Sequence, residues 1–184
     1  MSENLFFDVN KLKYLGKNVI IGRTVRIRYP DLVELHDNTV IDDFTFISTG
    51  LILHEHSAIE AGSVIMGGQA NQVTVGAYSC ICSNSTVMCG THDFQTGLHL
   101  VHHNHVPQGL KWADVTIGEH VILGTKSTIL PGAEIGTGAR IGAHSLVNRD
   151  LDPWTLYGGT PVKELGKVDR DQVLKYLEDF QTNY

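Results

Sequence analysis

Residues 115–147 read VTIGEHVILGTKSTILPGAEIGTGARIGAHSLV, and every sixth residue from Ile117 onward is aliphatic: Ile117, Leu123, Ile129, Ile135, Ile141 and Val147. The same phase runs upstream through Leu35, Ile41, Ile47, Leu53, Ile59 and Ile65, and again through Val75, Ile81 and Val87. Four residues after most of these starts stands a small side chain: Thr39, Thr45, Ser57, Ser63, Ser79, Ser85, Thr91, Ser127, Ala133, Ala139 and Ser145. Leu51 and Val121 are the larger members. Gly76, Gly118, Gly124, Gly136 and Gly142 directly follow a start. A period of six matches neither the 3.6 of a helix nor the simple alternation of a hairpin. It matches short strands joined by tight corners, with the aliphatic residue inside and the small residue where the chain turns close to it. Three such edges close a triangular coil, and coils stack about 4.8 Å apart through backbone hydrogen bonds. The expected fold is an all-β solenoid in which each coil is stabilised mainly by its neighbours.

Two breaks interrupt the period. Residues 67–73 are a short excursion and residues 93–114 a long one, opening beside Thr91-His92-Asp93 and ending near Trp112. Long loops inside compact domains usually carry function. Ile21-Gly22 and Ile27 read as an imperfect first coil. Residues 1–17, with Leu12 and Leu15 before Gly16, read as a cap containing a short helix. At the other end Asp169 is placed to cap a helix, with Gln172 three residues on. Val173, Leu174, Leu177 and Phe180 form its apolar stripe, and this helix is expected to cover the edge of the last coil. The chain is thus read as one domain: a cap (1–17), a solenoid (18–166) with its loop (93–114), and a C-terminal helix (167–184).

Composition narrows the function. The 184 residues are 42% hydrophobic and 18% charged, which excludes intrinsic disorder. A net charge of −6 disfavours nucleic-acid binding. No apolar run is long enough to span a bilayer, and residues 1–10 lack the basic start of a secretory signal. Three cysteines argue against a disulfide framework and fit a reducing cytoplasm. Cys80 and Cys82 share a face of a strand, and Cys89 lies near His92; all three read as inert thiols.

The period, the segment 115–166 and its tail, Asp152-Pro153-Trp154 through Tyr157-Gly158-Gly159-Thr160-Pro161-Val162-Lys163, resemble the hexapeptide-repeat acyltransferases. The resemblance covers residues 18–166. It is strongest to bacterial sugar acetyltransferases, and the GTHDF at 90–94 resembles the catalytic segment of polysaccharide O-acetyltransferases. It implies a left-handed parallel β-helix, a homotrimer with active sites between subunits, and acetyl-CoA lying in the groove between adjacent solenoids. It further implies that His92 is a general base, with Gly124 and Thr125 along the pantetheine arm and Ala143 beside them on the next coil. Asn148 and Arg149 correspond to the pair near the nucleotide end of CoA, and Lys163 to the basic residue after Pro161. The family more often carries Thr-Lys where this chain has Asn148-Arg149, and often a tryptophan where it has Ile122.

The role of His92 also has a chemical basis. A sugar hydroxyl is a poor nucleophile at neutral pH. A base within about 3 Å of its proton typically accelerates attack 10²–10⁴-fold, and an ordinary imidazole titrates near 6.5. Asp93 is a candidate to orient that imidazole, although adjacent residues of an extended chain point apart. A glycine-rich corner is expected to offer backbone N–H groups to the oxyanion.

The leading expectation is therefore acetyl transfer from acetyl-CoA to a sugar hydroxyl. The alternative is N-acetylation of a nucleotide-linked amino sugar. His99, His102, His103 and His105 keep open a metal-dependent hydratase of the γ-carbonic-anhydrase kind, and a repeat fold by itself also allows a non-catalytic scaffold. No metal is expected on the leading reading.

Overall fold

The structure, a computed structural model, describes residues 4–98 and 109–183. About seven three-sided coils stack into a left-handed parallel β-helix, as expected from the period. The coils span 14–28, 33–48, 50–66, 72–88, 115–130, 134–147 and 151–158 and are numbered one to seven. Coils one to six each contribute one short strand to each of three faces, and coil seven contributes Thr155–Gly158 to the second face, with Leu151 bridging to Ile135 on the first. Tyr14–Leu15, Val33–Leu35, Gly50–Leu53, Gln72–Val75, Val115–Ile117 and Glu134–Ile135 build the first face. Ile20–Ile21, Val40–Ile41, Ala58–Ile59, Cys80–Ile81, Ile122–Leu123, Arg140–Ile141 and Thr155–Gly158 build the second. Arg26–Ile27, Phe46–Ser48, Val64–Met66, Thr86–Met88, Thr128–Ile129 and Leu146–Val147 build the third.

The aliphatic position is the core. All fifteen repeat starts are at most 3% exposed, and their side chains stack in register from coil to coil. The small position is buried as well, from Thr39 at 0% to Ala133 at 4%. Its hydroxyls need partners there, and they find them in corner carbonyls: Thr39 Oγ1 donates to His36 O and Ser145 Oγ to Gly142 O. Thr91 is the exception, because the chain has already left the wall at Gly90.

Between these two positions the first corner turns through left-handed backbone. Asn18, Asn38, His56, Tyr78, His120 and Trp154 have φ between 52° and 60°. Their rings stack where they are aromatic: His56 on Tyr78 at 5.0 Å between centroids and Tyr78 on His120 at 5.3 Å.

The N-terminal end adds a strand to the expected cap, and the C-terminal end departs from expectation. The N-terminal segment forms a 3-10 turn, Val9–Lys11, and then the strand Tyr14–Leu15, whose backbone pairs with Glu34–Leu35. Pairing to coil 2 offers this stretch more hydrogen bonds than an isolated turn of helix. The C-terminal helix runs Arg170–Asn183, with Asp169 Oδ1 accepting from Gln172 N at 3.0 Å as its cap. It does not cover the last coil. It runs back along the first corner, with Arg170 over Trp154 and Phe180 edge-on to His56. The edge of the second face is instead closed by Lys163–Lys167, which folds back antiparallel on Thr155–Gly158.

Candidate active site

The site begins where the wall is interrupted. After Met88 the chain leaves the third face as a two-stranded antiparallel ribbon, Gly90–His92 against Leu110–Trp112, with His92 opposite Leu110. His92 sits exposed at the outer end of this ribbon. The segment read as a loop from 93 to 114 is therefore partly strand.

Glycine permits the base of the ribbon. The Trp112 ring lies against Gly90, so close that a Cβ there would sit 2.2 Å from the indole. The same ring approaches Gly68 at van der Waals distance. Asp114 Oδ1 accepts from Asn71 Nδ2 and Gln72 N, both at 3.0 Å. The short and long interruptions are thus pinned together, and His92 is held out from a braced base. Sequence reading missed this coupling, although Gly67-Gly68, Gly90 and Trp112 together carry its signal.

The Asp93 carboxylate is tied into the turn that follows it. It accepts from Thr96 Oγ1 at 2.7 Å and Gln95 N at 3.0 Å, with Lys111 Nζ at 3.8 Å. The Thr96 hydroxyl, the Gln95 amide and Lys111 hold this carboxyl below its ordinary range. Asp93 shapes the turn that follows His92.

Three of the residues assigned to the acyl donor, Gly124, Thr125 and Ala143, gather on the second corner, in coils 5 and 6. Gly124, Gly142 and Gly158 stack there in one column, with Thr125 and Ala143 following the first two. Gly124 must be bare, since a Cβ would lie 2.5 Å from Ala143 N and 2.6 Å from Ile141 O. The expectation that this corner supplies oxyanion donors needs correction at Gly124 and Gly142. Their N–H groups donate to Ile141 O and Tyr157 O, both at 2.8 Å, because stacking consumes them. Among the described residues the amides of Thr125 and Ala143 take no part in that ladder.

Asn148 and Arg149 are exposed where the third face ends, and the Arg149 guanidinium lies 5.5 Å over the Tyr157 ring. Lys163 is exposed on the closing strand opposite Gly158. Within one chain His92 and Gly124–Thr125 stand at opposite ends of the third face: the corner opens its strand in coil 5, and the ribbon leaves after its strand in coil 4.

The remaining candidates lie elsewhere. His99, His102, His103 and His105 fall outside the described residues. Two groups of ligand-type side chains converge among the described ones, His36 with His54 and Glu55, and Glu60 with Cys80 and Cys82, their donor atoms within 4.8 Å. Both sit on corners of coils 2–4, away from the ribbon. The Cys80 and Cys82 sulfurs are 3.9 Å apart, and burial pushes both thiols up. Cys89 is fully buried and pushed up to about 11. All three are protonated at neutral pH, as expected of inert thiols. No helix among the described residues is long and apolar enough to cross a membrane.

Known proteins resemble this arrangement along nearly its whole length. The profile of the bacterial transferase hexapeptide family (six repeats) matches residues 114–149. The dTDP-4-amino-4,6-dideoxy-D-glucose acyltransferase of Escherichia coli is 30% identical over 172 residues, covering 90% of this chain and 86% of that enzyme. A chloramphenicol acetyltransferase of the same species is 28% identical over 68% of this chain and 67% of its own length. Among solved structures, AntD, an N-acyltransferase from Bacillus cereus, superposes with a TM-score of 0.87 in its complex with dTDP and 3-hydroxybutyryl-CoA. It is 28% identical and covers 97% of this chain and 98% of its own. A variant of AntD holding dTDP-4-amino-4,6-dideoxyglucose and coenzyme A superposes at 0.86 over the same shares.

Proposed function

This chain belongs to the bacterial hexapeptide-repeat transferases and is an acyl-CoA-dependent acyltransferase, and from that premise we propose that it acylates the amino group of a dTDP-linked amino sugar. The observation that carries this reading is the relative from Escherichia coli, named for a dTDP-amino sugar and alike over nine-tenths of the chain. It reverses the order of the two acceptors read from the sequence, where a hydroxyl came first. The solenoid and the base serve either acceptor.

The chemistry assigned to the residues is as follows. The neutral amine attacks the thioester carbonyl, a C–N bond forms, and a tetrahedral oxyanion develops. His92 removes the proton that the new ammonium sheds. The C–S bond then breaks, and the leaving thiolate of coenzyme A takes up a proton. The donor's pantetheine arm lies against the bare corner of Gly124 and Gly142. There Thr125 and Ala143 have amide protons free of the ladder to meet its carbonyls. Arg149 and Lys163 neutralise phosphate at the far end of the donor. Asp93 acts as a positioning residue through the ribbon turn.

A base and a donor corner at opposite ends of one face suit a site completed by a neighbouring copy, and we assign the protein a trimeric assembly. The outward row of the second face supports it. Ile20, Val40, Ala58, Cys80, Ile122 and Leu156 align from coil to coil, broken by Arg140 alone among the described residues. Ile20 is 61% exposed in the single chain. The matching row of the first face, Tyr14, Glu34, Ile52, Thr74, Thr116 and Glu134, is polar at Glu34, Thr74, Thr116 and Glu134 and apolar at Ile52.

The test is a direct assay. Protein mixed with acetyl-CoA and dTDP-4-amino-4,6-dideoxyglucose should release free thiol and give a product heavier by one acetyl group. Release with hydroxyl-bearing sugars but not with the amino sugar would return the O-acetyl reading. Light scattering that gives a monomer would remove the shared site.

A further inference from the structure

We propose that coils 1 and 2 hold the nucleoside diphosphate of the acceptor, in the pocket between Phe6, Phe44, Phe46 and the guanidinium groups of Arg26 and Arg28. This inference rests on the amino-sugar reading above and adds where the nucleotide sits.

The distribution of charge points there first. Six of the chain's 14 lysines and arginines, Lys11, Lys13, Lys17, Arg23, Arg26 and Arg28, stand before residue 29. None follows until Lys111. The lysines and arginines of the three walls therefore lie toward the two ends of the solenoid, and the cation beside His92 is Lys111 of the ribbon, which faces Asp93. A transfer between two phosphate-bearing substrates calls for this division. The reacting groups meet in the middle, and the two phosphate tails leave in opposite directions. The donor's tail is assigned to coils 5–7, which leaves the basic end of coil 1 for the acceptor's.

The local chemistry agrees. A cavity of about 380 Å³ is lined by Phe6, Thr24, Arg26, Phe44, Thr45 and Phe46. Arg26 and Arg28 both lie over the Phe46 ring, at 5.7 and 5.6 Å. Among the described residues neither guanidinium pairs with a carboxylate. Planar guanidinium groups held on a ring are suited to bind phosphate oxygens in pairs. The carboxylate next to the pocket is already used, for Asp43 Oδ1 accepts from Thr24 Oγ1 at 2.6 Å and Thr24 N at 2.8 Å.

Phe44 is the unexpected residue. It is 73% exposed and sits at φ 63°, the left-handed position of the second corner. Other coils place Gly62, Asn84, Lys126 and His144 there. A bulky ring strains that backbone and gains little burial. The strain is held by Thr24, whose Oγ1 accepts from Phe44 N at 2.9 Å. A ring fixed in the open beside two arginines is a platform for a planar base.

Reach also fits. Arg26, Phe46, Val64 and Thr86 are successive members of one outward row, and the strand of Thr86 ends at Met88, where the ribbon of His92 departs. Two coil spacings, about 10 Å, separate Phe46 from that strand. A pyrophosphate and a pyranose can bridge this gap.

The experiment uses the full-length protein and dTDP itself. The wild type should bind dTDP by calorimetry, and the double variant Arg26→Gln, Arg28→Gln should bind it at least about tenfold more weakly. The KM for dTDP-4-amino-4,6-dideoxyglucose should rise by a similar factor, while kcat and the KM for acetyl-CoA stay put. Phe44→Asn, which puts a residue tolerant of left-handed backbone there, should weaken dTDP binding with a melting temperature at or above that of the wild type. If the double variant binds dTDP as the wild type does, the pocket is not the subsite, and the amino-sugar reading stands. If it changes the oligomeric state with dTDP binding intact, the aromatics belong to an interface and the proposal falls. If the wild type neither binds dTDP nor prefers the nucleotide-linked sugar over the methyl glycoside of the same amino sugar, the underlying reading fails.

Discussion

Two corners of the same coils have been put to different uses. At the first, the left-handed position carries side chains that stack: Asn18 on Asn38, then His56, Tyr78, His120 and Trp154. The C-terminal helix lies over this ladder, leaving a cavity of about 360 Å³ between. At the second corner of coils 5–7, Gly124, Gly142 and Gly158 leave the backbone bare. Both corners border the second face and turn through the same left-handed position, which in coils 5 and 6 of the second carries Lys126 and His144. The difference lies in what the corner residue offers a neighbour. Rings stacked along the axis stabilise the stack and are consumed by it, whereas a bare corner offers its surface to a ligand.

The largest effect should come from the ribbon that meets the open corner. His92→Ala is expected to lower kcat by roughly 10²–10⁴-fold, with the KM for acetyl-CoA and the melting temperature close to wild type. An unchanged kcat would show that the amine needs no base from this ribbon.

Gly124→Ala and Gly142→Ala divide the open corner itself. A Cβ at Gly124 meets backbone at 2.5 Å, which cannot yield, so about 1–3 kcal/mol of stability should be lost. At Gly142 the nearest atom is Tyr157 O at 3.5 Å, an ordinary contact. That variant should melt like the wild type and show only a raised KM for acetyl-CoA. Equal melting temperatures for the two would mean the column is not as tightly stacked at Gly124 as described.

The ladder should respond in stability and not in rate. Tyr78→Ala removes two ring contacts, with His56 and His120. Each is worth about 0.5–1.5 kcal/mol, so thermal unfolding should shift by roughly 1–3 kcal/mol with kcat intact. A variant that loses activity at full stability would make the first corner part of the site.

How much of this could be read in advance follows the same division. The core positions were legible because burial in a solenoid repeats: Ile117 and Ile135 meet the same environment one coil apart, so the side chains repeat with it. The ribbon was not legible. Thr91 keeps the small-residue phase, yet Gly90–His92 pairs with a strand reached only after a long excursion, and no period announces such a pairing. The closing strand Lys163–Lys167 was hidden for a related reason: its residues, Lys-Glu-Leu-Gly-Lys, lack alternation because almost all of it is exposed. The helix stripe was visible in Val173, Leu177 and Phe180. Its destination was not, since the ladder it packs on comprises rings separated by a whole coil in sequence. The donor residues were placed by likeness to a family, and the gathering of Gly124, Thr125 and Ala143 on one corner is what the structure adds.

The smallest effect, and the most specific, concerns Cys89 at the root of the ribbon. Its thiol is fully buried, and burial pushes its titration from 9.0 up to about 11. The folded chain therefore keeps this proton after the unfolded chain has released it. A raised value of this kind contributes stability that is whole below about pH 9 and is lost as pH rises toward about 11. Melting temperature should fall through that window in the wild type, and less steeply in Cys89→Ala, where the group is missing. Other groups titrate there too, so the comparison of the two slopes is the measurement. Parallel slopes would show that the thiol is reached by water, and that the joint between wall and ribbon is looser than its packing against Thr49 and Gly67 implies.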